Sequence, residues 1–130
     1  MLRQAFLING IIELIGGILF FSRPDIIFDL IDHQANDYNI IRIMYSFAAV
    51  TIGFLSNMFY VYFKNCPLQI LFLAGVIFMF FHFGLSTVLL LAYKAEVISH
   101  VGACWFHGAL GALFVVSLFM FYQKLFKHRV

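Results

Sequence analysis

The chain has 130 residues, 64% of them hydrophobic and 11% charged, with a mean hydropathy of +0.99. Soluble domains carry about a quarter charged residues, so this balance excludes a soluble globular protein, and one domain fills the length. A net charge of only +2, with its basic residues scattered, gives no footing for nucleic acid as a partner.

The first apolar segment covers residues 5–22. Arg3 followed by an apolar run imitates a signal peptide, but Phe20-Phe21-Ser22-Arg23-Pro24 closes the run without a small-x-small cleavage site. It is therefore expected to stay in place as a membrane span. A longer, acidic connection follows. Within it, residues 24–32 place Ile26, Ile27, Leu30 and Ile31 on one side and Asp25, Asp29 and Asp32 on the other. That spacing predicts an amphipathic helix lying on the membrane surface. The aspartates lack the alternating spacing and glycine turn of a calcium loop. The second span covers 40–63, and Lys64-Asn65-Cys66-Pro67 forms a tight turn with Pro67 opening the third span, 68–93. Residues 94–100 make another short loop before the fourth span, 101–123. Each span approaches the ~20 residues that cross a ~30 Å hydrocarbon core. All four are continuously apolar rather than alternating, which makes the strands of a membrane barrel a poor alternative. The expected fold is all-α: a single-domain integral membrane protein, residues 1–130, forming a four-helix antiparallel bundle in a lipid bilayer.

Orientation follows from lysine and arginine. With both ends on one side, that side holds Arg3, Lys64, Lys124, Lys127 and Arg129, against Arg23, Arg42 and Lys94 on the other. The bias predicts both termini in the cytoplasm. Trp105 and Tyr93 then fall at the outer boundary and Tyr60, Tyr62 and Tyr122 at the inner one, as interface anchors do. Cys66 and Cys104 lie near opposite ends of different spans, too far apart for the ~6 Å of a disulfide.

At helical spacing each span shows a stripe of small and polar residues. The first carries Asn9, Glu13, Gly16, Gly17 and Phe20, with Gly10 beside them. The second carries Arg42, Ser46, Ala49, Gly53 and Asn57, with Ser56 adjacent. The third carries Gly75, His82, Ser86 and Tyr93, and the fourth His100, Cys104, His107 and Gly111. Such stripes are where membrane helices meet, because small side chains admit a close approach and polar ones avoid lipid.

Glu13, His82 and His107 demand more than packing, since an ionisable side chain at bilayer depth costs at least ~2.5–3.5 kcal/mol on insertion scales. Glu13 and His82 fall near mid-membrane, and His107 about two turns from the outer surface. Arg42, Tyr45, Ser46, Ser86 and Thr87 share that outer half, while the inner half offers mainly Ser56, Asn57 and Ser117. If the stripes face each other, they form a polar pocket opening outward, with Glu13, Arg42, Tyr45, His82, Ser86 and His107 as candidate ligand-binding residues. Three roles compete with plain helix packing. The pocket binds a small or amphipathic ligand or serves a membrane complex or homodimer. Alternatively, Glu13 couples a proton to transport of a small molecule, with the histidines as relay. Or His82 and His107 hold a metal or haem as cofactor, with Glu13 as a further ligand. His33, His100 and His128 fall in loops or the tail. Ser46, Ser86 and Thr87 belong to no nucleophile elbow or phosphate loop, so the sequence assigns no catalytic residue.

Leu14-Ile15-Gly16-Gly17-Ile18 in the first span, Arg42-Ile43-Met44-Tyr45 opening the second and His107-Gly108-Ala109 in the fourth resemble the small four-span bacterial proteins grouped as DoxX-like. That resemblance covers most of the chain and implies a bacterial inner membrane, without a defined activity. Ile12-Glu13-Leu14-Ile15-Gly16 is also similar to the first-span carboxylate motif of small multidrug-resistance exporters, whose glutamate exchanges protons for cationic drugs. The long first loop and the third span, which lacks that family's glycine-rich packing motif, depart from it.

Overall fold

A computed structural model describes residues 1–23, 39–96, 98 and 101–127, the side chains of 39–42 and 125–127 excepted. Four helices make up the described chain: α1 Leu2–Ser22, α2 Asn39–Val61, α3 Leu68–Lys94 and α4 Gly102–Lys127. The described residues contain no strand, and all four helices are long and apolar enough to cross a membrane. The expected surface helix at 24–32, with Asp25, Asp29 and Asp32, lies outside the described residues, as do His33, His100 and His128.

The distribution of side chains is that of a protein solvated by lipid. Phe47, Phe80, Trp105 and Met44 are exposed, while Asn9, Glu13, Ser46, Ser56, His82, His107 and Ser117 are buried. In water this arrangement would be inside out. In hydrocarbon it is the expected one, because polar groups must find their partners within the bundle. The exposed apolar surface and the four apolar helices make the chain a membrane protein.

Two antiparallel hairpins form the bundle. In the α1–α2 pair the backbones nearly touch. A Cβ on Gly53 would lie 2.7 Å from the Leu14 backbone nitrogen, and one on Gly17 would lie 2.9 Å from the Ser46 carbonyl oxygen. Only glycine admits this approach, which is how small residues draw membrane helices together. The α3–α4 pair begins from a firm turn. Asn65 and Cys66 donate backbone N–H bonds to the Tyr62 carbonyl, and the carbonyl of Pro67, just ahead of α3, accepts from Ile70 and Leu71. At the far end of α3, Glu96 adopts φ 58°, the left-handed turn that often ends a helix.

The half of the bundle that holds Leu2 and Leu118 is packed mainly with aromatic and aliphatic side chains. Phe6 of α1 packs against Phe59 at the end of α2, Phe63 of the turn, Phe78 of α3 and Phe114 of α4, at 5.4, 6.3, 5.7 and 5.7 Å between ring centroids. Leu2, Leu71, Ala74 and Leu118 complete this core. At its edge the Arg3 guanidinium lies 4.5 Å over the Tyr60 ring and donates to the Tyr60 carbonyl oxygen. The aromatic cluster ties all four helices together and fixes their relative depth, so residues one to two turns away from it on α1, α3 and α4 arrive at a common level.

Candidate functional site

That level carries the polar centre. Glu13 lies near the middle of α1 and His82 near the middle of α3, while His107 lies in the first two turns of α4. The three converge: His82 Nδ1 lies 3.1 Å from His107 Nδ1, and Glu13 Oε1 lies 3.8 and 4.0 Å from those two nitrogens. His82 is wholly buried, and Glu13 and His107 are 4% and 6% exposed. The imidazole rings stack on each other at 5.4 Å with 19° between planes, and the His82 ring stacks in turn on Phe114 at 6.1 Å and 14°. The aromatic core therefore runs continuously into the polar centre through Phe114.

Each outward-turned histidine nitrogen has a partner on another helix. His82 Nε2 meets Asn9 Oδ1 of α1 at 2.7 Å, and His107 Nε2 meets the Tyr45 hydroxyl of α2 at 3.1 Å. Asn9 is held further. Its Nδ2 donates to Ser56 Oγ at 3.3 Å, and the Ser56 hydroxyl donates to the Phe6 carbonyl oxygen at 2.8 Å. A hydroxyl has one proton to give, so Ser56 must accept from the Asn9 amide. This turns the Asn9 carbonyl oxygen toward His82, which must then carry its proton on Nε2. The Nδ1 of His82 is left as a lone pair facing His107 and Glu13. All four helices contribute to the network.

Glu13 is the exception. Its Oε1 is buried and has no hydrogen-bond partner, a property it shares among the described residues with Ser117 Oγ. Leaving such an acceptor unmet costs about 1–3 kcal/mol, more when it is charged.

No protein-family model matches the chain, and no curated protein or solved structure matches it significantly. The site therefore rests on its own geometry.

Of the residues singled out in the sequence, Glu13, Tyr45, His82 and His107 come together. Ser86 does not join them; its hydroxyl donates to the Cys104 carbonyl oxygen at 2.9 Å and touches Cys104 Sγ at 3.4 Å, pinning α3 to α4 one turn further out. The Arg42 side chain lies outside the described residues. Asn9 and Ser56 belong to the network without having been chosen as site residues. Asn9 sits one helical turn before Glu13 on the same stripe, and that spacing was the signal available for it. Nothing in the sequence pairs Ser56 with Asn9. Beside the centre, Gly17, Ile18, Phe21, Ile43, Phe47 and Val50 border an apolar groove of about 250 Å³ between α1 and α2.

Proposed function

We propose that this membrane protein binds a small ligand at the polar centre between its two helical hairpins, with Glu13, His82 and His107 as the contacting residues and Tyr45 positioning His107. The observation that carries this reading is the buried Glu13 Oε1, flanked by two imidazole nitrogens and without a hydrogen-bond partner among the described residues. A cluster kept only to fix helix register closes its own hydrogen bonds, because each unmet group in hydrocarbon is costly. An unmet acceptor among nitrogen atoms is instead the complement of a donor or a cation. Coupled transport through Glu13 would need the centre to open alternately to two sides, a demand that binding does not make, so binding is the reading adopted.

The setting that fits is a bacterial inner membrane, as the DoxX-like resemblance implies. Both termini lie in the cytoplasm in this reading, on the excess of Arg3, Lys64, Lys124, Lys127 and Arg129 over Arg23, Arg42 and Lys94. The centre then sits on the periplasmic side of the aromatic core. Native mass spectrometry of the protein extracted with its lipids tests the proposal. Bound mass beyond lipid is expected in the wild type and absent in Glu13→Gln. A wild type and a variant with identical adduct patterns would refute it.

A further inference from the structure

We infer that the ligand of this centre is a single divalent transition-metal ion of the zinc type, held by Glu13 Oε1, His82 Nδ1 and His107 Nδ1; the inference rests on the binding reading above. These three donors come from α1, α3 and α4 and all lie within 4.8 Å of one another. Zinc bonds of about 2.0–2.2 Å to nitrogen and oxygen in a tetrahedron place neighbouring donors roughly 3.4 Å apart. The observed separations of 3.1, 3.8 and 4.0 Å bracket that value. Closing the difference takes shifts of about half an ångström, within the reach of side-chain torsions.

The surroundings are those that metal-binding histidines use. A ligating imidazole ordinarily hands its other ring N–H to a fixed acceptor, which sets both tautomer and ring orientation. Here the chain Phe6 carbonyl, Ser56, Asn9 fixes the His82 tautomer with its Nδ1 lone pair facing the centre. Tyr45 offers its hydroxyl oxygen to His107 Nε2, so His107 can donate there and turn its own Nδ1 lone pair inward. Without an ion, two facing Nδ1 atoms at 3.1 Å must share one proton. A cation takes that proton's place and satisfies both nitrogens and Glu13 Oε1 together.

Donor chemistry narrows the ion. Two imidazoles and one carboxylate suit zinc, iron(II), cobalt(II) and their neighbours. Calcium and magnesium prefer oxygen-only sites, and copper(I) prefers the thiolates and thioethers that this set lacks. A haem does not fit between the histidines. Axial ligands lie on opposite faces of a porphyrin, whereas these rings stack on one another with their nitrogens 3.1 Å apart. Three protein ligands leave a fourth position, where a hydroxide or other anion would neutralise the charge that the ion and Glu13 leave over.

The test uses tag-free, chelator-treated protein in detergent, titrated with Co²⁺ while the visible d–d bands are read, and with Zn²⁺ for stoichiometry by elemental analysis. One ion per chain and tetrahedral cobalt bands are expected. Asn9→Leu and Tyr45→Phe, which remove only outer partners, are expected to weaken binding about 10–100-fold. Glu13→Gln and His107→Phe should weaken it further than either. Tyr45→Phe keeps nearly the same packing, so a loss of affinity there with unchanged helicity is not a folding defect. Absent cobalt bands in a folded wild type, or equal affinity in wild type and Glu13→Gln, would overturn the metal assignment. If no ion binds but native mass spectrometry finds an organic molecule that Glu13→Gln loses, the metal inference fails and the binding reading stands. If neither ion nor molecule is found, both fail.

Discussion

Gly53→Ala reads out how the two hairpin helices hold the site. A Cβ at position 53 would lie 2.7 Å from the Leu14 backbone nitrogen and 3.0 Å from the Gly10 carbonyl oxygen. Both are backbone atoms and cannot swing aside. Restoring ordinary contact at 3.4 Å requires α1 and α2 to part by about 0.7 Å. If they move as rigid bodies, the Ser56–Phe6 bond stretches from 2.8 Å to about 3.5 Å and the Asn9–Ser56 bond from 3.3 Å to about 4.0 Å, beyond hydrogen-bond length. Overpacking costs ~1–3 kcal/mol and each lost interhelical bond adds ~0.6 kcal/mol, for a total of about 2–4 kcal/mol. Gly16 and Gly84 supply the contrast, since nothing lies within 4 Å of a Cβ at either position. Alanine there removes a poor helix former and is expected to be neutral or to stabilise by up to ~1 kcal/mol. Thermal unfolding in detergent, followed by a thiol-reactive dye on buried Cys104 in a Cys66→Ser background, measures all three. If Gly53→Ala unfolds at the same temperature as Gly16→Ala, the close α1–α2 approach is refuted.

Two serines with different bonding should respond in opposite ways. Ser56→Ala removes the acceptor of the buried Asn9 amide and is expected to cost ~1–2 kcal/mol. Ser117→Ala removes a hydroxyl that has no partner and should stay within ~0.5 kcal/mol of wild type or stabilise; the same dye assay compares them. Nitrogen-15 NMR of the His82 ring in Ser56→Ala should also show the Nε2–H tautomer losing its dominance, and an unchanged spectrum would count against the proposed chain of bonds. Phe6→Ala empties the point where four other rings meet. It should cost ~3–5 kcal/mol, and a loss below 1 kcal/mol would show that the aromatic cluster does not hold the bundle.

The spans were legible because each is an unbroken apolar run bounded by polar turns. The helices agree with the expected segments closely, with α1 beginning at Leu2 instead of residue 5 and α4 continuing to Lys127 instead of 123. Glu13, His82 and His107 were legible for the same reason: an ionisable residue stands out against hydrocarbon. Their meeting was only partly so. A short connection makes α3 and α4 neighbours, but His82 lies 12 residues before the end of α3 and His107 only five after the start of α4, so the turn alone does not pair them. The connection between α1 and α2 is long and fixes no register, and nothing in sequence says how one hairpin docks on the other. The Asn9–Ser56 and Asn9–His82 bonds depend on those two unknowns. Ser56 consequently read as a polar residue of the sparsely polar half, whereas it anchors the amide that orients His82.

Division of labour within the bundle bears on whether the polar centre is only glue. Lipid offers helices no hydrophobic reason to associate, so dispersion between close surfaces must supply most of the cohesion. Those surfaces are elsewhere: the Gly17 and Gly53 approaches between α1 and α2, and the cluster around Phe6 that joins all four helices. Apart from Ser117 Oγ, the polar groups that serve packing alone close on neighbours at once. Ser86 bonds the Cys104 carbonyl, and Thr51 and Thr87 bond carbonyls four residues back on their own helices. The three residues of the centre are arranged differently. Their outer nitrogens are tightly held while their inner atoms face one another, with one carboxylate oxygen unmet. Rigid support behind a carboxylate oxygen with no hydrogen-bond partner among the described residues favours a third party at the centre over self-contained glue, and two facing imidazole nitrogens beside that carboxylate favour a cation as that party.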